Sequence, residues 1–396
     1  MRDFLLDQQD RAFRAEVCDV LRRELLPRAA AIEDHDDWNA IKAVVRALGE
    51  AGYLKLMFKE LYRGSLSKPG LTHATLLSEE AACINYAFET TIATALSCAY
   101  PLSRHATAPI RERYLPGIVD GKIVGAICVT EPDAGSDTSR MQTNIKFDAA
   151  RREYVISGLK RYISNAGVAD VYIVYGVTDP KAALGKGLSA VIVPTGASGL
   201  SFPRRYTFMG RRGCVVGEVQ FAECRVPADH LLGDENSGSR IMVGMFNFER
   251  IILGGSGLGV ARSAFDIAQT HAQTREAFGA KLGCKQLIWS QIADMSCRLD
   301  ASELLTYRAA KLYDAGVTGK DLMKPAAMAK LVATETATYC ADHTVQILGG
   351  DGLTKEFGRA EQIYRDARAL PIVGGTSEMA KYLIAVADLP TLKPNL

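Results

Sequence analysis

The sequence lacks any uninterrupted apolar run approaching the roughly 18 residues that a membrane-spanning helix requires, so no membrane protein is expected. It lacks a charge imbalance. Its 47 basic and 45 acidic residues leave a formal net charge of +2, too weak a field to single out nucleic acid or an anionic membrane as partner. Metal-site spacings are missing as well: nine cysteines, at 18, 83, 98, 128, 214, 224, 284, 297 and 340, form no C-x-x-C pair. Six histidines, at 35, 73, 105, 230, 271 and 343, show no H-x-x-x-H pairing, so no metal is expected. Isolated cysteines read as reduced core thiols of a cytoplasm-like compartment. The N-terminal MRDFLLDQQDRAFRAEV has neither the apolar region of a signal peptide nor the Arg/Ser-rich, acid-poor character of a transit peptide, and a cytoplasmic location is expected.

Internal repeats and low-complexity linkers are also missing, which predicts regions packed on one another rather than tethered. Three textures divide the 396 residues. Residues 1–122 are rich in Ala and Leu, with Phe13, Val17, Val20, Leu21 and Leu25 near helical spacing behind a capping Asp7, and with breaks at Gly52, Pro69-Gly70 and Pro101. Residues 123–236 alternate short β-branched and aromatic runs with turn signals, predicting an antiparallel β domain. Residues 237–396 return to helical periodicity in four long segments, near 239–272, 288–315, 319–348 and 358–390, as a four-helix bundle requires. The fold class is therefore α+β.

Four segments carry chemistry. CVTEPDAGSD (128–137) places Thr130 and Ser136 hydroxyls beside Gly135, which lets a phosphate or ring approach the backbone; an ordinary Pro/Gly/Asp turn is the alternative. KRYISNAG (160–167) puts Tyr162 and Ser164 on one face of a strand, suited to a flat heterocycle or simply to solvent. TREAFGAKLGCKQ (274–286) offers Arg275, whose forked guanidinium suits a pyrophosphate, with Phe278 and Gln286. Residues 346–378 hold Gln346, the glycines 349, 350 and 352, and a second pair at 374 and 375; such pairs also end helices. LGGSGLGVA (253–261) mimics a dinucleotide fingerprint, but it follows a helix rather than a strand, and close helix packing is the better reading.

In this order and spacing the four signatures resemble the acyl-CoA dehydrogenase family over essentially the whole chain. The resemblance implies an N-terminal helical domain, a central β domain and a C-terminal four-helix bundle, with FAD as cofactor. It implies that Thr130, Ser136 and Ser164 hydrogen-bond FAD, and that Gly135 and Tyr162 line its site. Arg275, Phe278, Gln286, Gln346 and Gly350 would reach the FAD of a neighbouring subunit, while Thr376 and Glu378 would lie near its diphosphate and ribose. FAD shared across subunits implies a homo-oligomer, a dimer of dimers. Two positions depart from the family: Tyr162 stands where Trp is usual and Ser164 where Thr is usual.

The family's reaction needs a carboxylate to take the α proton of an acyl thioester while hydride leaves Cβ. Where most relatives carry that Glu, this chain has Gly374, within Val373-Gly374-Gly375-Thr376. The isovaleryl-CoA dehydrogenase-type branch supplies it instead from an E-R pair early in the bundle, and FNFERIILGG provides Glu249 and Arg250. Glu249 is the expected base, in an apolar stretch that should raise its pKa; Glu378 is its rival. Gly374 keeps a backbone N–H for the thioester carbonyl, and its missing side chain is expected to widen the pocket for a branched or substituted acyl chain. Ser136, Asn247, Arg250 and Gly374 are the expected substrate contacts, Asn247 near the pantetheine, with CoA or a carrier protein holding the acyl group. Electrons would pass to an electron-transferring flavoprotein or similar acceptor. An oxidase of the same fold and a catalytically silent flavoprotein are the alternatives.

Overall fold

The computed structural model describes residues 5–391 apart from 59, 60, 63, 65, 184 and 390. The described residues open with six α-helices: α1 (Gln8–Glu24), α2 (Ala29–His35), α3 (Trp38–Glu50), α4 (Leu71–Ile84), α5 (Tyr86–His105) and α6 (Ala108–Val119). Asp7 caps α1 as expected, accepting the Asp10 amide at 2.8 Å while Asp10 accepts the Asp7 amide at 3.0 Å, so two otherwise unpaired amides are satisfied. Phe13, Val17 and Leu21 form its buried stripe. Pro101, expected to end a helix, lies inside α5. The division falls instead at Asn85, whose side chain accepts the Phe88 amide at 2.8 Å and thereby starts α5.

The middle of the chain forms an eight-stranded sheet of β1 (Gly125–Cys128), β2 (Asn144–Asp148), β3 (Glu153–Ser164), β4 (Val171–Val177), β5 (Leu188–Pro194), β6 (Leu200–Ser201), β7 (Val216–Pro227) and β8 (Leu231–Leu232). Most pairs are antiparallel, but β1 runs parallel to β4, and β2 meets β4 in parallel at Asn144 and Val177. The expected antiparallel domain thus includes two parallel contacts. Parallel neighbours need a long connection, and the 42 residues between Cys128 and Val171 supply one by passing through β2 and β3.

The C-terminal part contains α7 (Gly238–Thr274), α8 (Gln286–Asp314), α9 (Gly319–Leu348), α10 (Ala360–Ala367) and α11 (Ser377–Asp388). The expected last long helix is thus two helices. Between them Gly374 and Gly375 adopt φ of 64° and 98°, left-handed values that no continuing helix permits. By length and composition α7 is apolar enough to cross a membrane, yet 83% of its most apolar window is buried within the protein, the profile of a core helix. Its glycines explain how it is buried. A Cβ on Gly255 would stand 2.7 Å from Thr75 O, one on Gly259 2.1 Å from Glu79 O, and one on Gly257 2.8 Å from Ala333 C, so α4 and α9 press directly on its backbone. The same contact carries an ionic clamp: Arg262 of α7 and Arg14 of α1 both reach Glu79 of α4, at 2.6 and 2.8 Å.

Candidate active site

Glu249 projects from the fourth turn of α7 towards the turn that joins α10 to α11. A Cβ on Gly374 would lie 3.9 Å from the Glu249 carboxyl carbon. The two positions that sequence reasoning linked by an absence and a presence are neighbours in space. Burial pushes the Glu249 carboxyl up to about 7, against the opposing pull of Arg250 and Lys330. Glu378, the rival base, behaves oppositely: it is exposed in the first turn of α11, where its own backbone amide and the Thr376 hydroxyl hold its carboxyl below the usual range.

Lys330 is a residue that sequence reasoning missed. It is fully buried on α9, and its Nζ donates to Gly375 O at 2.7 Å. Burial, followed by the nearby Arg250, pushes its ammonium down to about 8, while Glu249 favours the charged form. One lysine therefore fixes the glycine turn and faces the carboxylate beside it. No periodicity or motif distinguishes this lysine from a surface one; only its contacts do.

Two expectations about the pocket change. A Cβ on Gly374 would stand 2.2 Å from Leu253 Cδ1, so the space left by the missing side chain is filled by Leu253 rather than open. Asn247 is 1% exposed, and its amide donates to Gly319 O at 3.1 Å and accepts from Arg250 Nη1 at 3.0 Å. Both of these bonds turn the amide towards the protein. Its effect on the site runs through Arg250, whose guanidinium also lies 5.5 Å from the Phe246 ring.

The predicted cofactor residues form separate groups in one protomer. Thr130 follows β1, and its carbonyl accepts the Arg161 amide at 2.8 Å, tying it to β3. Glu131 anchors this turn: its carboxylate pairs with fully buried Lys160 at 2.8 Å and accepts the Gln142 and Thr143 amides. Sequence reasoning treated Glu131 as part of a signature without assigning this role. Between Lys160 and Ile163 the β3–β7 register slips, with Tyr162 at φ 59°, leaving its ring 54% exposed and 5.0 Å from that of Tyr206. Ser164 accepts from Arg211 at 3.5 Å, and the Arg211 amide donates to Asp366 of α10 at 2.5 Å. Gly135 and Ser136 lie in an exposed turn. Thr376 caps α11 and, with Glu378 and Ser377, lines an open cleft of about 510 Å³ that Tyr339, His343 and Arg368 also border.

Arg275, Phe278, Gln286, Gln346 and Gly350 are all exposed, on the outside of the bundle. Phe278 is 96% exposed.

Comparison with known proteins decides the family. The acyl-CoA dehydrogenase N-terminal, middle and C-terminal domains match residues 7–122, 126–224 and 236–387. The chain belongs to the acyl-CoA dehydrogenase family. The mitochondrial isovaleryl-CoA dehydrogenase of Pongo abelii is 32% identical over 390 residues, covering 96% of this chain and 89% of the relative. Butyryl-CoA dehydrogenase from Megasphaera elsdenii superposes with a TM-score of 0.91 at 30% identity, covering 98% and 100% of the two chains. A structure described as the FAD complex of PigA superposes at 0.86 with 25% identity, covering 97% and 98%. The family's members are oxidoreductases acting on CH–CH bonds through FAD-dependent dehydrogenation of acyl-CoA substrates.

The residues of this acyl-CoA dehydrogenase fit a flavin dinucleotide. Ser377 Oγ is buried without a partner on the wall of the cleft, and open space surrounds Gly135 where a Cβ would stand. These are places where a cofactor oxygen and a close backbone approach are accommodated.

Proposed function

We propose that this acyl-CoA dehydrogenase uses Glu249 as its catalytic base, and the observation that carries the reading is the contact between Glu249 and the Gly374 turn. A base works best with a pKa near the operating pH, which favours Glu249, at about 7, over exposed and acidified Glu378. Bound FAD supplies the hydride acceptor. The protein's own residues do the rest: Glu249 takes the α proton, and the Gly374 N–H, which bonds to no described residue, donates to the thioester carbonyl as charge develops on its oxygen. Lys330 holds Gly375 O and so keeps that N–H in place.

Thr130, Gly135, Ser136, Tyr162, Ser164, Thr376 and Glu378 serve FAD of the same subunit in this reading, and Ser136 also meets the substrate. Arg275, Phe278, Gln286, Gln346 and Gly350 serve that of a neighbour. Their exposure on the bundle, with that of Leu287 and Trp289, supports a homo-oligomer organised as a dimer of dimers. An electron-transferring flavoprotein or similar acceptor reoxidises the enzyme, and nine unpaired cysteines suit a cytoplasmic setting. The test is anaerobic bleaching of the flavin by a panel of straight, branched, CoA-bound and carrier-bound acyl thioesters, on wild type and Glu249→Gln. Bleaching by the wild type alone supports the base; equal bleaching by both overturns it.

A further inference from the structure

We propose that Glu89 reads the far end of the acyl group, selecting acyl thioesters that carry a hydrogen-bond donor, a hydroxyl or a protonated amine, several carbons beyond Cβ. This rests on Glu249 being the base, since that fixes where Cα lies. Glu89 stands on α5 and is fully buried. One carboxylate oxygen accepts the Ser78 hydroxyl, and Ser78 Oγ lies 3.3 Å from Ser256 Oγ of α7. The other, Oε2, is buried with no partner within hydrogen-bonding distance; Ser256 and, at longer range, Arg211 favour the charged form of Glu89, but among the described residues no cation stands within ion-pairing distance of it. A carboxylate oxygen kept dry and unpaired is costly, so its natural complement is a donor brought in from outside.

The position relative to the base gives the direction. Ser256 follows Glu249 by seven residues on α7, two turns and about 10 Å along nearly the same face. Leu253, which covers Gly374, lies between them. A chain whose Cα meets Glu249 therefore runs along this face towards Glu89. A second group agrees: Tyr175 of β4 is fully buried with its hydroxyl unpartnered, and both it and Glu89 lie within electrostatic reach of Glu249. Two buried polar groups without hydrogen-bond partners, from two different elements, suit a polar acyl terminus better than a plain hydrocarbon tail.

Flavin bleaching of the holoenzyme under anaerobic conditions tests this with hexanoyl-CoA, 6-hydroxyhexanoyl-CoA and 6-aminohexanoyl-CoA. The wild type should reduce fastest with the substituted pair, by about tenfold or more, because a site built around a polar group discriminates strongly against an analogue lacking its partner. Glu89→Leu should reverse the order. The isosteric Glu89→Gln, which keeps the fold should the leucine variant fail to form, should retain the hydroxyl preference and lose that for the amine. A wild type that prefers hexanoyl-CoA overturns the proposal, as do variants that slow all three substrates equally, the behaviour of a purely structural Ser78–Glu89–Ser256 link. Neither result touches Glu249. Failure of all three thioesters to bleach a wild type that other acyl thioesters do bleach also overturns this inference, whereas equal bleaching of wild type and Glu249→Gln removes the base assignment and this inference with it.

Discussion

Replacing Glu249 by Gln should inactivate the enzyme and at the same time stabilise it, increasingly so as the pH rises from about 4.5 to about 7. The Glu249 carboxyl is moved from 4.5 to about 7, chiefly by burial. The unfolded chain loses this proton near 4.5 and the folded chain keeps it until about 7. Between those values the folded state binds the extra proton, so raising the pH draws the equilibrium towards unfolding. The cost is absent below 4.5 and complete above 7. At about 1.4 kcal/mol per pH unit it reaches about 3 kcal/mol. Gln carries no such cost, although Arg250 and Lys330 lose their counter-charge, so about 3 kcal/mol is an upper bound on the gain. Melting of flavin-loaded wild type and variant at pH 5 and pH 8 reads this cost: the buried acids Glu79 and Asp366 are common to both proteins, and Glu89, which the Glu249 charge pushes up, is relieved in the variant and adds to the gap in the same direction. The variant should melt higher than wild type at pH 8, with the gap closing at pH 5, and its flavin should bleach on the order of 10²-fold or more slowly with any substrate. A variant whose melting gap ignores pH, or whose flavin bleaches at the wild-type rate, would refute the reasoning.

Lys330→Met removes a cation facing Glu249, so the pH midpoint of flavin bleaching should move above that of the wild type, with Lys330→Arg restoring it; a downward shift counts against the assignment. Gly374→Ala should cost about 1–3 kcal/mol, read as a lower melting temperature, because the residue sits at φ 64° and its new methyl meets Leu253 Cδ1; adding Leu253→Ala should recover the steric part. Lys160→Met strands the Glu131 carboxylate in the β domain and should destabilise by about 3–5 kcal/mol, measurable by denaturant unfolding. Gly259→Ala pushes a methyl onto Glu79 O and should lower the melting temperature without altering the pH midpoint of bleaching.

Much of this architecture is written locally. The Asp7 cap, the stripe of Phe13, Val17 and Leu21, and the left-handed glycines at 374 and 375 depend on residues within a few positions of one another, and periodicity or turn chemistry reports them. The last helix misread follows from the same source: its pattern runs from 358 to 390, and only the weight given to Pro371 and two glycines decides whether it breaks. What stayed hidden was the choice of partners. Lys330 and Gly375 are 45 residues apart, Glu131 and Lys160 29, and Ser78 and Ser256 178. No local rule marks a lysine as buried, or a glutamate as lacking a partner for one oxygen, before the elements meet.

Gly374 shows where local and tertiary reasoning part. The missing carboxylate at 374 points to a neighbour able to supply one, because the proposed chemistry demands a base, and the Glu249 carboxyl lies beside the glycine. The same absence does not determine the pocket's width. Space vacated by one side chain is contested by every element that borders it, and here Leu253, one turn beyond Glu249 on the same face of α7, has taken it. The helix that brings in the proposed base, Glu249, therefore also brings in the side chain that fills the space beside Gly374.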